Sequence, residues 1–117
     1  MMNSDIYLSS VREAGDWAGV FDSDSEVSYF YSMNPQMPAG QQILGAIHIY
    51  TGKQLWKKKD VHICWNNDAT AVGLVLFGQL WAVFDEDSQY GGDFDSQCEA
   101  SIPNAIKLTF SNHFKLP

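Results

Sequence analysis

Three groups of residues in this chain have types and spacings that could do chemistry. His62-x-Cys64 alternates within an apolar run, so on a strand both side chains face one way. Together with His48 and Cys98 they supply zinc-ligand types. Structural zinc takes four ligands, usually in paired close spacings, whereas Cys98 stands alone in an acidic stretch. They read instead as a half-buried histidine and a core-lining cysteine, with no metal and no other cofactor. Asp22-x-Asp24-x-Glu26 has the opening of a calcium loop. The sixth and twelfth places of such a loop need Gly and Glu and here hold Val27 and Met33, so a solvated hairpin turn is the reading.

His48, between Ile47 and Ile49, is the polar residue to test first for acid–base work, set against a hydrogen-bonded histidine at the core edge. Hydrolysis needs an activated nucleophile or a placed acid–base pair. The chain has no Gly-x-Ser-x-Gly elbow, phosphate loop or His-Glu-x-x-His. No catalytic residue is assigned, and an enzyme ranks last among the readings.

The third group is the strongest signal. Residues 85–99 hold Asp85, Glu86, Asp87, Asp93, Asp95 and Glu99 without a Lys or Arg, beside Trp81, Tyr90 and Phe94. Clustered carboxylates steer a basic partner and pair with its cations, and aromatics beside them supply anchor area. The same stretch also suits a solvated loop that keeps the protein soluble. Asp22, Asp24 and Glu26 add a second acidic turn.

The 117 residues suit one domain, residues 1–117. With 45% apolar and 14% aromatic residues the chain can bury a real core, which excludes wholesale disorder. A net charge of -7 makes nucleic acid and anionic lipid poor ligands and a basic protein the favoured one. No apolar run approaches the roughly 20 residues of a membrane helix. Nothing in residues 1–14 has the pattern of a signal peptide, and two cysteines are no disulfide framework. A cytoplasmic protein with reduced thiols is the expectation.

The elements that must position these groups read mostly as strands. Ile6 and Leu8 open a first one. Residues 16–21 and 26–32 form a hairpin about Asp22-Ser23-Asp24-Ser25, with Val27, Tyr29 and Tyr31 on one face. Residues 33–40, with Pro35, Pro38 and Gly40, are a loop. Residues 41–50 fit helical spacing and alternation alike, and a short helical turn leading into a strand is expected. Residues 51–60 connect, carrying Lys53, Lys57, Lys58 and Lys59. Val61 to Trp65 alternates, then Asn66-Asn67-Asp68 turns. Residues 71–77, apolar on both faces, read as the central strand, covered on both sides. Gly78-Gln79 suits a type II′ turn into residues 80–84. Ile106, Leu108 and Phe110 alternate as a last strand. The fold class is α+β: a β-rich single domain with a mainly antiparallel twisted sheet and at most one or two short helices.

The pattern over residues 16–85 resembles that of the bacterial family DUF2251. One block is Trp17-Ala18-Gly19-Val20-Phe21-Asp22, then Tyr29-Phe30-Tyr31, then Ile43-Leu44-Gly45-Ala46-Ile47-His48-Ile49-Tyr50. The second is Ile63-Cys64-Trp65-Asn66-Asn67-Asp68, then Gly73-Leu74-Val75-Leu76-Phe77-Gly78 and Ala82-Val83-Phe84-Asp85. Phe77 stands where the family tends to have Asn, and Trp81 where it tends to have His. From Glu86 onward the resemblance ends, which makes the acidic loop this chain's own. The family brings no activity and no functional residues. Small acidic proteins of this type resemble immunity proteins of bacterial toxin systems, an association by type alone. The expected function is therefore a non-enzymatic immunity protein that occludes the active site of a basic toxin. A structural or regulatory module forming homo-oligomers is the alternative.

Overall fold

The computed structural model describes residues 5–110. Eight strands divide into two antiparallel sheets of four. The first sheet has the order β1 (Ile6–Val11), β2 (Ala18–Ser23), β3 (Val27–Met33), β4 (Ile43–Thr51). The second has the order β5 (Val61–Trp65), β6 (Ala71–Leu76), β7 (Gln79–Asp85), β8 (Gln89–Gly91). A single 3₁₀ turn, Lys58–Asp60, and a short helix α1, Asn104–Leu108, complete the described elements. This is the β-rich antiparallel domain read from the sequence, with its strands shared between two sheets.

The alternation in β2 and β3 sets the core. Phe21 and Phe30 point inward and are fully buried, facing Val72, Leu74 and Phe84 of the second sheet. Phe30 and Phe84 meet across the interface with ring centroids 5.4 Å apart. Polar groups that go inward are paired. Ser23 Oγ lies 2.7 Å from Ser28 Oγ and 2.8 Å from Gln54 Oε1, and accepts from Trp56 Nε1. Trp17 Nε1 donates to Ser32 Oγ at 2.7 Å. Buried polar atoms left unpaired would be costly.

All six residues of β6 are buried, as its unbroken apolar run implies. Its inner face meets the first sheet. Its outer face, with Ala71, Val75, Leu80 and Val83, is covered by Ile102, Ile106 and Phe110. Of those three only Ile106 lies in α1, with Ile102 before its Pro103 cap and Phe110 after its end, and α1 stands where a strand was expected. Leu108, which strand alternation would bury, is exposed. Pro103 opens the helix, consistent with its fixed backbone angle.

Two further expectations are corrected. Residues 43–51 are strand throughout, without a helical turn. The pairing of β3 with β4 skips Leu44 and Ile49, so two bulges shift the phase of alternation and mimic helical spacing. The β6–β7 turn is centred on Phe77-Gly78, one residue earlier than read, with φ of 51° and 79°. Two positive φ values make it type I′, the type that favours Asn-Gly. Phe77 tolerates the left-handed region while its ring packs 5.8 Å from Phe94.

Gly91 ends β8 with φ 87°, and a Cβ there would lie 2.0 Å from the Trp81 carbonyl oxygen. The obstacle is backbone, so no side-chain shift can relieve it. Gly91→Ala should therefore detach β8 from β7 and cost about 1–3 kcal/mol in urea unfolding. Amide exchange should rise across residues 89–94 before it rises in β6; unchanged stability and exchange would refute this packing.

Candidate functional site

The stretch 85–99 is not one loop. Asp85 ends β7 and Glu86 and Asp87 follow it, β8 then pairs back along Ala82, Val83 and Phe84, and the remaining acids come after it. Three strand residues advance the chain about 10 Å, so the carboxylates form two separate groups.

The first group borders a groove of about 480 Å³ at one end of the sandwich. Asp85, Glu86 and Asp87 stand on one side, Asp16 with Arg12 on the other, and Trp17, Leu44 and Phe84 supply apolar wall. The Asp85 carboxylate accepts from the Asp87 and Ser88 amides at 2.9 and 2.6 Å, which shapes the β7–β8 turn. Glu86 and Asp87 are exposed and make no side-chain hydrogen bond among the described residues, although Glu86 acts on the Arg12 charge through space. Arg12 is already engaged. Its guanidinium donates to both Asp16 oxygens at 2.7 and 2.8 Å and to the Ala69 carbonyl at 3.0 Å, and lies 5.2 Å from the Trp17 ring centroid. The hydrogen bond from Arg12 holds the Asp16 carboxyl below its usual range. The groove therefore has one neutralised pair and three acids with no cation bonded to them.

The second group, Asp93, Asp95 and Glu99, leaves β8 toward the edge of β4. The Phe94 amide donates to the Ile49 carbonyl at 2.6 Å, and His48 Nδ1 meets Asp93 Oδ1 at 2.5 Å. His48 Nε2 meets Thr51 Oγ1 at 2.7 Å. Carboxylate, imidazole and hydroxyl thus stand in the order of an acid–base relay. The setting is wrong for one. Asp93 is 85% exposed and His48 36%, and the next amide, that of Gly52, donates to the Glu26 carbonyl at 2.7 Å instead of facing an oxyanion. The relay geometry serves as a latch that ties the segment after β8 to β4. Asp95 accepts from the Gln97 amide at 2.8 Å and so shapes its own turn. Asp24 does likewise for the β2–β3 turn, accepting from the Glu26 and Val27 amides, and those bonds hold its carboxyl below the usual range.

The three aromatics expected as partner anchors face the protein. Trp81 is 3% exposed. The β6–β7 register skips it, and its indole N–H donates to the Gly92 carbonyl. Phe94 is half-buried, with ring centroids 4.7 Å from Trp81 and 5.5 Å from Trp56. Tyr90 packs on the outer face of the second sheet. They pin the acidic segment down, and beside it the exposed Phe77 and Cys98 share the surface with the carboxylates. Alternation alone could not reveal this, because the bulge at Trp81 reverses its side.

His62 is exposed, Cys64 half-buried and Cys98 exposed, and both thiols are free. Among the described residues no three His, Cys, Asp or Glu side chains are grouped to hold a metal ion. No described helix is long and apolar enough to cross a membrane. Burial pushes the Cys64 thiol up to about 12, and the Asp95 carboxylate raises that of Cys98.

Comparison with known proteins bears on the same segment. The model of the bacterial family DUF2251, described as an uncharacterized protein conserved in bacteria, matches residues 1–113. The chain belongs to this family. The match runs well past Asp85, so the acidic segment lies within the family pattern and is not an addition peculiar to this chain. The chain is also similar to a Haemophilus influenzae protein described as uncharacterized, 24% identical over 94 residues, or 72% of this chain. It spans 58% of that relative's length. No solved structure matches.

Two outcomes follow from the latch and the thiols. His48→Ala should speed exchange of the Phe94 amide about fivefold, the order of one exposed charged hydrogen bond, while the global unfolding midpoint stays nearly constant. A latch that carries no energy would leave Phe94 exchange unchanged. At pH 8 an aromatic disulfide reagent should label the exposed Cys98 and leave Cys64 untouched until unfolding, since burial withholds both access and thiolate from Cys64. Asp95→Asn should accelerate the Cys98 reaction; an equal rate would exclude the carboxylate effect.

Proposed function

We propose that this protein is a non-enzymatic inhibitor of the immunity type, which takes up a basic protein, a bacterial toxin domain, and covers its active cleft. The observation that carries this reading is the groove at the end of the sandwich. Three acids without a bonded cation stand beside an apolar wall, and the one arginine present is locked to Asp16. A groove of this kind favours a basic side chain from outside, because carboxylates at the rim attract it and the wall receives its stem. Asp93, Asp95 and Glu99, about 10 Å along the chain path, extend the negative field, as do Asp22, Asp24 and Glu26. Cytoplasmic action belongs to the same proposal.

The test uses the purified product of the neighbouring reading frame, immobilised for surface-plasmon kinetics. The triple variant Asp85→Asn, Glu86→Gln, Asp87→Asn keeps the acceptor that shapes the turn and removes the charge. Association at low salt should slow about tenfold, and its salt dependence should flatten. The reason is that the screening length falls from ~10 Å at 0.1 M to ~3 Å at 1 M. Stability should hardly change, since exposed charges contribute little. Co-expression should restore growth that the neighbour alone suppresses. An unchanged association rate at low salt, or no growth rescue, would remove the groove from this role.

A further inference from the structure

The two sheets are treated differently on their outer faces. The outer face of the second sheet is covered by residues 100–110, whereas on that of the first Tyr7 and Val11 are exposed, Tyr29, Tyr31 and His48 half-buried, and Asp93 reaches it from beyond the strands. Antiparallel register places Tyr7, Asp22, Tyr29 and His48 in one row across that face, and Asp93 joins the row by its bond to His48. Tyr29 and Tyr31 stack with ring centroids 5.6 Å apart and planes inclined by 20°. The His48 ring meets Tyr29 edge-on at 5.3 Å. Tyr7 is 64% exposed, and Val11 and Ile43 add exposed apolar area at the far end.

The charge on this face is one-sided. None of the four strands contains a Lys or Arg, and the row has a carboxylate toward each side, Asp22 on β2 and Asp93 beyond β4. Asp22 also acts on Tyr31, whose phenol is raised first by burial and then by that carboxylate. A second copy would bring Asp22 and Asp93 against their own kind, with -7 on each chain. The chemistry that fits is a planar cation. A guanidinium stacks on aromatic faces and pairs with carboxylates in its own plane, which a compact ammonium does less well. Tyrosines offer that contact area at low conformational cost.

We propose that the outer face of the β1–β4 sheet binds an arginine-bearing segment of a partner protein, with a guanidinium over the Tyr29–Tyr31 stack between Asp22 and Asp93. The inference rests on the reading of a basic protein partner and names what on that partner is recognised, at a surface separate from the groove.

The experiment is a titration of the ¹⁵N-labelled full chain with two short peptides of equal charge, Gly-Arg-Gly-Arg-Gly and Gly-Lys-Gly-Lys-Gly, both capped. Saturable shifts are expected at the amides of Tyr29, Tyr31 and His48, with the arginine peptide binding several-fold more tightly than the lysine peptide. The double variant Tyr29→Leu, Tyr31→Leu should weaken it about tenfold, and Asp22→Asn should weaken it without touching the aromatic stack. Shifts at Glu86 to Ser88 report the groove separately and confirm that each variant is folded. Shifts confined to the groove would overturn the sheet-face proposal and leave the inhibitor reading standing. Shifts on the face without groove shifts would do the reverse. Equal binding of both peptides, or no shift on the face, would overturn it. So would sedimentation as a dimer abolished by Tyr29→Leu, Tyr31→Leu, or contacts from residues 1–4 or 111–117 onto the face.

Discussion

The constraint on which the rest depends is that β6 and β7 must be dry on both faces. Val72, Leu74 and Leu76 face one way and Ala71 and Val75 the other, and all are buried. Fully burying one such aliphatic side chain contributes on the order of 1.5–3 kcal/mol, so exposing either face would remove much of a domain's net stability. The first sheet can cover only one side. The chain must therefore leave β8 at the sheet edge and return over the opposite face with Ile102, Ile106 and Phe110. The acidic segment 92–101 is that return path. Its course past β4, with Phe94 on Ile49 and Asp93 on His48, follows from covering the hairpin.

Routing the path this way also explains where aromatic bulk and charge went. A crossing segment without regular pairing needs other fastenings. Phe94 fills a gap between Trp56, Trp81 and Phe77, and Trp81 holds the Gly92 carbonyl. The carboxylates are left on the outside, where Asp95 on this path and Asp85 before it shape turns through backbone amides. Such bonds suit Asp in particular, because its short side chain reaches the amide two residues on. An acidic composition thus arises partly from local turn chemistry. The charge on Glu86, Asp87 and Asp22, by contrast, caps no turn amide among the described residues.

Much of this was legible in the residues. The β2–β3 hairpin, the doubly covered β6 and its pairing with β7 followed from alternation and from an unbroken apolar run. What failed did so for identifiable physical reasons. Bulges at Leu44 and Ile49 broke the period in β4, and a bulge at Trp81 turned an expected surface anchor inward. A bulge is a tertiary accommodation that has no signature in composition. At the C-terminal end, Ile106, Leu108 and Phe110 satisfied a two-residue period, but a short helix opened by Pro103 stands there and leaves Leu108 exposed. The carboxylates of 85–99 were visible as a group, but their division by β8 was not, because a three-residue strand is too short to carry a pattern.

His48 connects these threads. On the sequence it was a lone polar residue between two isoleucines, and strand alternation points both isoleucines inward while the imidazole stays on the outer face. There it receives Asp93, which arrives only because the chain must cross to cover β7. A carboxylate from the second sheet's side is thereby fixed on the first sheet's face, beside tyrosines that already stack on each other. Two surfaces of different origin, an acidic crossing path and an aromatic sheet face, meet at one side chain. Removing the latch would loosen the path without unfolding the sandwich, because the core that requires the crossing lies on the other side of it.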